Sequence, residues 1–515
     1  MHRFWEINEL VRELVVDLER RCKASASSIA LACCSKQLGD VVLDYLWEDL
    51  TNLSWLMQCL PPDTWERRNG EFVSTTPSTP HESGLTGQQV FLRCPSTEEW
   101  MRFSTYARRI RHLHARDSQG KRVVSLGAFN LLLMQTPTLG QYLLPNLRSI
   151  HWEDDSWDNT PFLRLFLNPE LVSVYIRFPN RDPHLYRPAT VSLIPTGGLT
   201  HLQLDVMGNE DFPLSALNNL LDAAAETLRS VDLDGELPVA ISEKLFQLPN
   251  LRFLDVELSG TRISPPAVVF PSLEKLGISY GESDSWLHTL QNIPDPTLRE
   301  LDVFFSGSSP IYLQTLTSSL LGAGIERTLV SLECLPEGRI PLTEAGIRPL
   351  FLFKRLTVLD LISHCTAERC NAQLNDSIIS GLAMALPQLT SLSLGGPPCD
   401  HVASNVTIAS LVALSANCID LDFLRLHFNA NDIITRGTTG NPSTCIFACK
   451  LRTLSVGAQP LPSNNDDILL VTFAILHIFP HLDTISSTGG LWGRVGRGVQ
   501  LFRKAPSILP HPIGS

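Results

Sequence analysis

Leu251-Arg-Phe-Leu254-Asp-Val256, Leu273-Glu-Lys-Leu276-Gly-Ile278 and Leu298-Arg-Glu-Leu301-Asp-Val303 are three copies of one pattern, Leu-x-x-Leu-x-Leu, with Ile, Val or Cys as stand-ins. It returns at Leu356-Thr-Val-Leu359-Asp-Leu361, Leu389-Thr-Ser-Leu392-Ser-Leu394, Leu421-Asp-Phe-Leu424-Arg-Leu426 and Leu451-Arg-Thr-Leu454-Ser-Val456. With looser copies counted, thirteen units lead off at Leu147, Leu171, Leu199, Leu228, Leu251, Leu273, Leu298, Leu329, Leu356, Leu389, Leu421, Leu451 and Leu482, spaced 22 to 33 residues apart. A period of roughly 20–50 residues marks a solenoid, in which a unit buries its apolar face only by stacking on its neighbours. Helix-like stretches separate the copies, at Leu217–Leu228, Ile311–Leu321, Asn375–Leu386, Thr407–Asn417 and Asp466–Phe479. One strand and one helix per unit predict an α/β solenoid over residues 147–486, parallel strands inside and helices outside. Ile110-Arg-His-Leu113 is a degenerate fourteenth candidate.

Side chains alternate along a strand. The last two leucines of each copy therefore point inward, and the residue between them points outward. Those outward residues are His151, Tyr175, Gln203, Asp232, Asp255, Gly277, Asp302, Glu333, Asp360, Ser393, Arg425, Ser455 and Ser486. Five of the thirteen are acidic, in a chain with 53 acids among 515 residues, and all five fall in the middle copies. Strands lie about 4.8 Å apart, so Asp232, Asp255, Asp302, Glu333 and Asp360 would form a stripe roughly 25 Å long. Asp234 and Glu257 extend it two residues further along their strands. Partly desolvated acids attract a basic partner and repel an acidic one. These five are the candidate partner-binding residues, against the plainer explanation that outward positions are simply polar.

Composition excludes several classes. The net charge of −12 argues against general nucleic-acid affinity. No apolar run approaches the roughly 18–20 residues of a membrane helix; the longest candidate, Ile468–Ile478, suits a buried helix. Glu6, Glu9 and Glu13 fall where a secretion signal would be apolar. The twelve cysteines show no CxxC pair, so reduced buried thiols in the cytosol or nucleus are expected rather than a metal site. Gly-x-Ser-x-Gly, Walker, HExxH and Cys–His patterns are all missing from the sequence, so neither catalysis nor a cofactor is expected.

Residues 4–50 read as a small all-α domain. Asn8 caps a first helix whose Ile7, Leu10, Val11, Leu14, Val15 and Leu18 share one face. A second helix fits Ala26–Cys34 and a third Asp40–Asp49, with Gly39 as the break between them. Residues 51–95 predict a connecting helix and a mobile loop, since Ser74–Gly84 has little to bury. Thr76-Pro77 and Thr79-Pro80 in that loop are candidate proline-directed phosphorylation sites, although such dipeptides are common in loops. Residues 96–146 predict a helical lead-in, opened by the capping box Ser96-Thr-Glu-Glu99. Its basic cluster, Arg102 to Arg116, suits a helix C-terminus better than a nucleic-acid site. Residues 487–515, with Gly489, Gly490, Gly493, Gly496 and Gly498, predict an irregular cap or a disordered tail.

Ile7-Asn-Glu-Leu10-Val-Arg-Glu-Leu14-Val, Ala30-Leu-Ala-Cys-Cys34-Ser-Lys36 and Val42-Leu-Asp-Tyr-Leu-Trp47 resemble the three helices of an F-box. Together with the leucine copies, they make the chain similar to fungal F-box proteins bearing C-terminal leucine-rich repeats. It departs from them in opening on Ile7-Asn8 rather than Leu-Pro, and in that only Leu421–Asn429 completes the repeat through the usual Asn. The resemblance implies the substrate-recognition subunit of a Skp1–cullin–F-box ubiquitin ligase. In it Ile7, Leu10, Leu14, Leu31, Leu43 and Trp47 are candidates for docking a Skp1-like adapter, and through it a cullin. The repeats would hold a target protein, a basic one by the charge of their outward row. A stand-alone leucine-rich-repeat scaffold or inhibitor, whose N-terminal helices only cap the solenoid, is the competing reading; a small-GTPase activator is a third.

Overall fold

The computed structural model describes residues 8–22, 25–64, 66–68, 71–73, 93–116, 126–139, 142–153, 157–178, 186–206, 214–258, 271–280, 287–290, 296–305, 312–336, 342–362, 374–395, 405–430, 433, 448–456, 464–487 and 492–504. The chain divides into two compact units, residues 1–236 and 237–515.

The leading leucines explain both units. All thirteen, Leu147 through Leu482, are at most 1% exposed. In the first unit Asp49–Leu50, His112–Arg116, Ser149–Glu153, Ser173–Phe178, His201–Val206 and Ser230–Leu237 pair in parallel, each with the next. The register aligns Leu113, Ile150, Val174, Leu202 and Val231 in one inward row. Among the described residues of the second unit, nine parallel strands, from Phe253–Leu258 to Thr484–Ser487, align Leu254, Leu276, Leu301, Leu332, Leu359, Leu392, Leu424, Leu454 and Ile485. Helices or 3-10 turns occupy much of the space between strands: Tyr312–Gly322, Asp376–Ala385, Ile408–Asn417 and Asn465–Ile478 match stretches expected from sequence, while Leu214–Ala223 overlaps the expected Leu217–Leu228 but ends at Ala223. The chain is thus a leucine-rich-repeat α/β solenoid.

Buried side chains tie some repeats to the one before. Asn168 donates to the carbonyls of Leu144 and Leu147, 2.8 and 3.1 Å away. The Cys449 thiol reaches the Cys418 carbonyl at 3.4 Å, and the Cys418 thiol reaches that of Leu386 at 3.5 Å. Burial pushes the Cys418 thiol up to about 12, which keeps it protonated and a donor. Cys334, Cys418 and Cys449 are buried as expected, whereas Cys33, Cys34 and Cys94 are exposed.

Other boundaries differ from the sequence reading. The third N-terminal helix begins at Lys36, not Asp40, and Gly39 lies inside it. The break falls at Ser35, whose hydroxyl accepts the Leu38 N–H and caps the helix. Gly39 answers a close approach instead: a Cβ there would lie 2.8 Å from the Ala32 carbonyl oxygen. The lead-in is not all helical, because Ile110-Arg-His-Leu113 does open a strand, His112–Arg116, in the sheet. The tail is not irregular through residue 504: Trp492–Lys504 is a helix with Trp492, Val495 and Val499 buried. Its Gly496 and Gly498 sit where a Cβ would come within 3.3 Å of the Ile485 oxygen and 3.1 Å of Thr472. Those glycines weaken helix propensity but let the helix lie against the last strand, sealing an edge that would otherwise be open. Residues 66–68 and 71–73 form a short antiparallel hairpin within the expected loop. The rest of that loop up to residue 92, including Thr76 and Thr79, lies outside the described residues, as do residues 505–515.

Helix starts are fastened across repeats by Asp376. Its carboxylate accepts the Thr407 N–H and hydroxyl, each at 2.7 Å, and the Ser410 hydroxyl at 2.5 Å. Burial alone would raise its pKa, but these donors together hold it below the ordinary carboxylate value. The ionised form therefore stabilises the fold above pH 3.8, and that contribution is lost as pH falls through the lower folded value. Asp376→Asn is expected to cost about 1–3 kcal/mol at pH 7 in urea unfolding, with the gap to the parent chain narrowing below pH 4. A constant gap down to pH 2 would remove the carboxylate from this role.

Candidate functional site

The first surface is the N-terminal helices, α1 (Asn8–Cys22), α2 (Ser25–Ala32) and α3 (Lys36–Glu48). Val11 and Val15 of α1, Ser28 of α2, and Leu38 and Val42 of α3 are buried and form the small core. The residues picked as docking candidates are not in it. Leu10 is 40% exposed, and Leu14, Leu31, Leu43 and Trp47 are half-buried. Ile29, which the sequence reading passed over, is 53% exposed. Ile7 lies outside the described residues.

α3 is tied to the first strands of the sheet and the helix leading into them. Arg109 reaches Asp40 at 2.9 Å and also pairs with Asp44, and the Trp47 ring packs 4.9 Å from that of Tyr106. The Arg111 N–H donates to the Glu48 carbonyl at 2.9 Å, and Asp49–Leu50 pairs with His112–Leu113. Part of the basic cluster is thereby spent inside the fold. The capping box forms as read: Ser96 accepts the Glu99 N–H, and Glu99 accepts the Ser96 N–H at 2.6 Å. Arg93 bridges Glu99 and Asp63 at 2.7 and 2.8 Å, which, with the Ser96 N–H, pulls the Glu99 carboxyl down to about 2.

The second surface is the outward face of the strands. In the second unit the register sets Asp255, Gly277, Asp302, Glu333, Asp360, Ser393, Arg425, Ser455 and Ser486 side by side. Four of the five candidate acids therefore line up as expected. Asp232 belongs to the first unit, beside Gln203. The gap at Gly277 is filled by its neighbour, since a Cβ there would come 2.7 Å from the Asp255 carboxylate. Lys275 on the same face reaches Asp302 at 2.9 Å and Glu300 at 3.2 Å. Burial works against its charge, yet the two acids hold its pKa above that of an ordinary lysine. This stretch of face thus already accommodates one ammonium group.

Glu333 and Asp360 bear the cost of the arrangement. Burial, with Asp302 and Glu300 nearby, raises the Glu333 carboxyl despite Lys275. Burial and the Glu333 charge push Asp360 up to about 6, with Arg425 and Ser393 opposing. Asp360 Oδ1 is buried and has no hydrogen-bond partner among the described residues. Beside the acids the face is apolar: Phe304 is exposed, and Leu335 follows it in register. Lys275 and Phe304 were legible from the alternation of the strand, two residues from the marked positions; the sequence reading extended the row only to the acids Asp234 and Glu257 and missed them.

No protein-family model matches the chain, and no curated protein matches it. Among solved structures it is similar to the Rad7–Elc1 complex of yeast, at 18% identity over 53% of this chain and 73% of that one, with a TM-score of 0.30. It is similar to an internalin, InlF, from Listeria monocytogenes, at 12% identity over 75% of this chain and 89% of that one, TM-score 0.34. The TLR13–ssRNA13 complex matches at 14% identity over 74% of this chain and 61% of that one, TM-score 0.27. The fold assignment rests on the strand register and the buried leucines. Among the described residues no helix is long and apolar enough to cross a membrane, and no cluster of His, Cys, Asp and Glu is placed to hold a metal ion.

The raised Asp360 carboxyl gives a signed prediction. A carboxyl raised in the folded state stabilises below its unfolded value, and that benefit is lost as pH rises through about 6. Asp360→Asn is expected to raise the urea midpoint at pH 7.5 and to have no such effect at pH 4. A lower midpoint at pH 7.5 would mean that the ionised carboxylate is satisfied inside the protein.

Proposed function

We propose that the chain is a non-catalytic substrate receptor of a Skp1–cullin–F-box type ubiquitin ligase. In this reading α1–α3 are an F-box that docks a Skp1-like adapter, which joins it to a cullin, and the outward strand face holds a target protein. The supporting observation is the division of labour in α1–α3. Val11, Val15, Leu38 and Val42 close the core, which leaves Leu10 and Ile29 exposed and Leu14, Leu31 and Leu43 half-buried. Exposed apolar side chains on so small a domain fit a partner surface with a polar rim. The target face is Asp255, Asp302, Glu333 and Asp360, whose charges favour a basic segment. Asp232 of the first unit is a further candidate for target binding. The receptor would accelerate ubiquitin transfer by holding target and ligase together, through effective concentration rather than chemistry. On this reading the protein works in the cytoplasm or nucleus, where such ligases act.

One observation favours the scaffold reading. Arg109 with Asp40 and Asp44, and Trp47 with Tyr106, fasten α3 to the start of the solenoid, as a simple cap would be. The two readings part at the exposed face of α1 and α2, which a cap does not need. Leu10→Glu with Ile29→Glu leaves the core intact, so the thermal midpoint is expected to stay within about 2 °C of the parent. Co-purification of a Skp1-like adapter should fall at least about tenfold, the loss expected from about 1.4 kcal/mol at a docking anchor. Undiminished adapter, or no adapter with the parent chain, would favour the scaffold.

A further inference from the structure

The strand face of the first unit carries a different chemistry from that of the second. Its register sets His114, His151, Tyr175, Gln203 and Asp232 side by side. The three rings form a ladder: His114 and His151 are 5.9 Å apart between centroids, and His151 and Tyr175 are 4.0 Å apart at an interplanar angle of 30°. The row beside it, two residues along each strand, holds Glu153, Arg177, Asp205 and Asp234.

Glu153 orients the rings. The His151 Nε2 lies 2.9 Å from Glu153 Oε1. Burial, then the Glu153 and Asp205 charges, push the Tyr175 phenol up to about 12, so it stays neutral. Burial and the neighbouring His151 hold His114 below the ordinary histidine value, against the pull of Asp49. The neutral Tyr175 ring, flanked by carboxylates, attracts a planar cation through the ring quadrupole and by ion pairing. Asp205 is already paired with Arg177 at 3.1 Å through one oxygen. Its other oxygen, Oδ1, is buried and has no hydrogen-bond partner among the described residues, so one acceptor beside the ladder is unfilled.

We propose that this face holds an arginine-bearing segment of a partner protein, with a guanidinium laid on the side of the Tyr175 ring turned away from His151 and drawn by Glu153, Asp205 and Asp234. Charge complementarity selects this occupant. A single-stranded nucleic acid would also stack on rings, but its phosphates would meet four carboxylates counting Asp232. An ammonium ion lacks the flat face that stacks, so lysine is the poorer fit. The site lies on other strands than the acid row of the second unit and goes beyond the target face proposed above.

The intact chain tests it by fluorescence anisotropy with a labelled Gly-Ser peptide carrying three arginines. Its twins carry lysine or citrulline, the uncharged isostere. The arginine peptide is expected to bind at least about tenfold more tightly than the citrulline twin, and more tightly than the lysine twin. Tyr175→Ala and His151→Ala should each weaken it several-fold, while Tyr175→Phe, which keeps the ring, should not; the last variant also controls for folding. Equal binding of the citrulline twin, parent-like affinity in Tyr175→Ala and His151→Ala, or tighter binding of a ten-nucleotide single strand would overturn the proposal. If binding survives Tyr175→Ala but is lost in Asp302→Asn with Glu333→Gln, this proposal falls and the reading of the second unit stands.

Discussion

One backbone carbonyl per repeat carries the architecture. Within each unit, the residue after a leading leucine and the one after that both donate their N–H to a single carbonyl of the preceding repeat. Arg148 and Ser149 donate to Arg111 at 2.7 and 3.0 Å, Val330 and Ser331 to Arg299 at 2.7 and 2.9 Å, and Arg452 and Thr453 to Asp422 at 2.9 and 3.0 Å. These paired bonds start each strand in the same place relative to the last. A slip of one residue would turn every inward leucine outward, so the bonds and the buried leucines enforce the same register. Within each unit that register converts a periodic sequence into rows of side chains on a surface.

The rows differ in what they cost. Ser455 and Ser486 carry no charge to desolvate, whereas Glu333 and Asp360 are carboxylates whose ionisation the fold opposes. Asp360 Oδ1 is buried without a hydrogen-bond partner among the described residues, and in the proposed reading the charges of this row favour a basic target. The N-terminal helices follow the same logic in apolar form: their core is complete without Leu10 and Ile29, which remain as surplus apolar surface.

Much of this was legible in the sequence because its main signals are periodic. The leucine spacing marked strands, helices, inward and outward faces, and the acid row, since each depends only on alternation along a strand and repetition along the chain. What escaped depended on contacts between distant residues. Gly39 looked like a helix break because glycine is a poor helix former, but the nearby Ala32 carbonyl demands it inside α3. The glycines of Trp492–Lys504 suggested irregularity for the same reason, and packing on Thr472 and Ile485 overrode propensity. The docking candidates could not be sorted into core and surface from spacing alone, because α1 has apolar residues on a broad arc and only the placement of α3 decides which are covered. The ring ladder was missed because its members, His114, His151 and Tyr175, are ordinary singly and become a site only in register.

Hydrogen–deuterium exchange on the intact chain, alone and with a purified Skp1-like adapter, decides whether residues 8–48 are a docking surface. Docking slows exchange in peptides from residues 8–48 on adding the adapter and leaves the strands from Phe253 to Ser487 unchanged. No protection in residues 8–48, or protection appearing on the strand face instead, would contradict it.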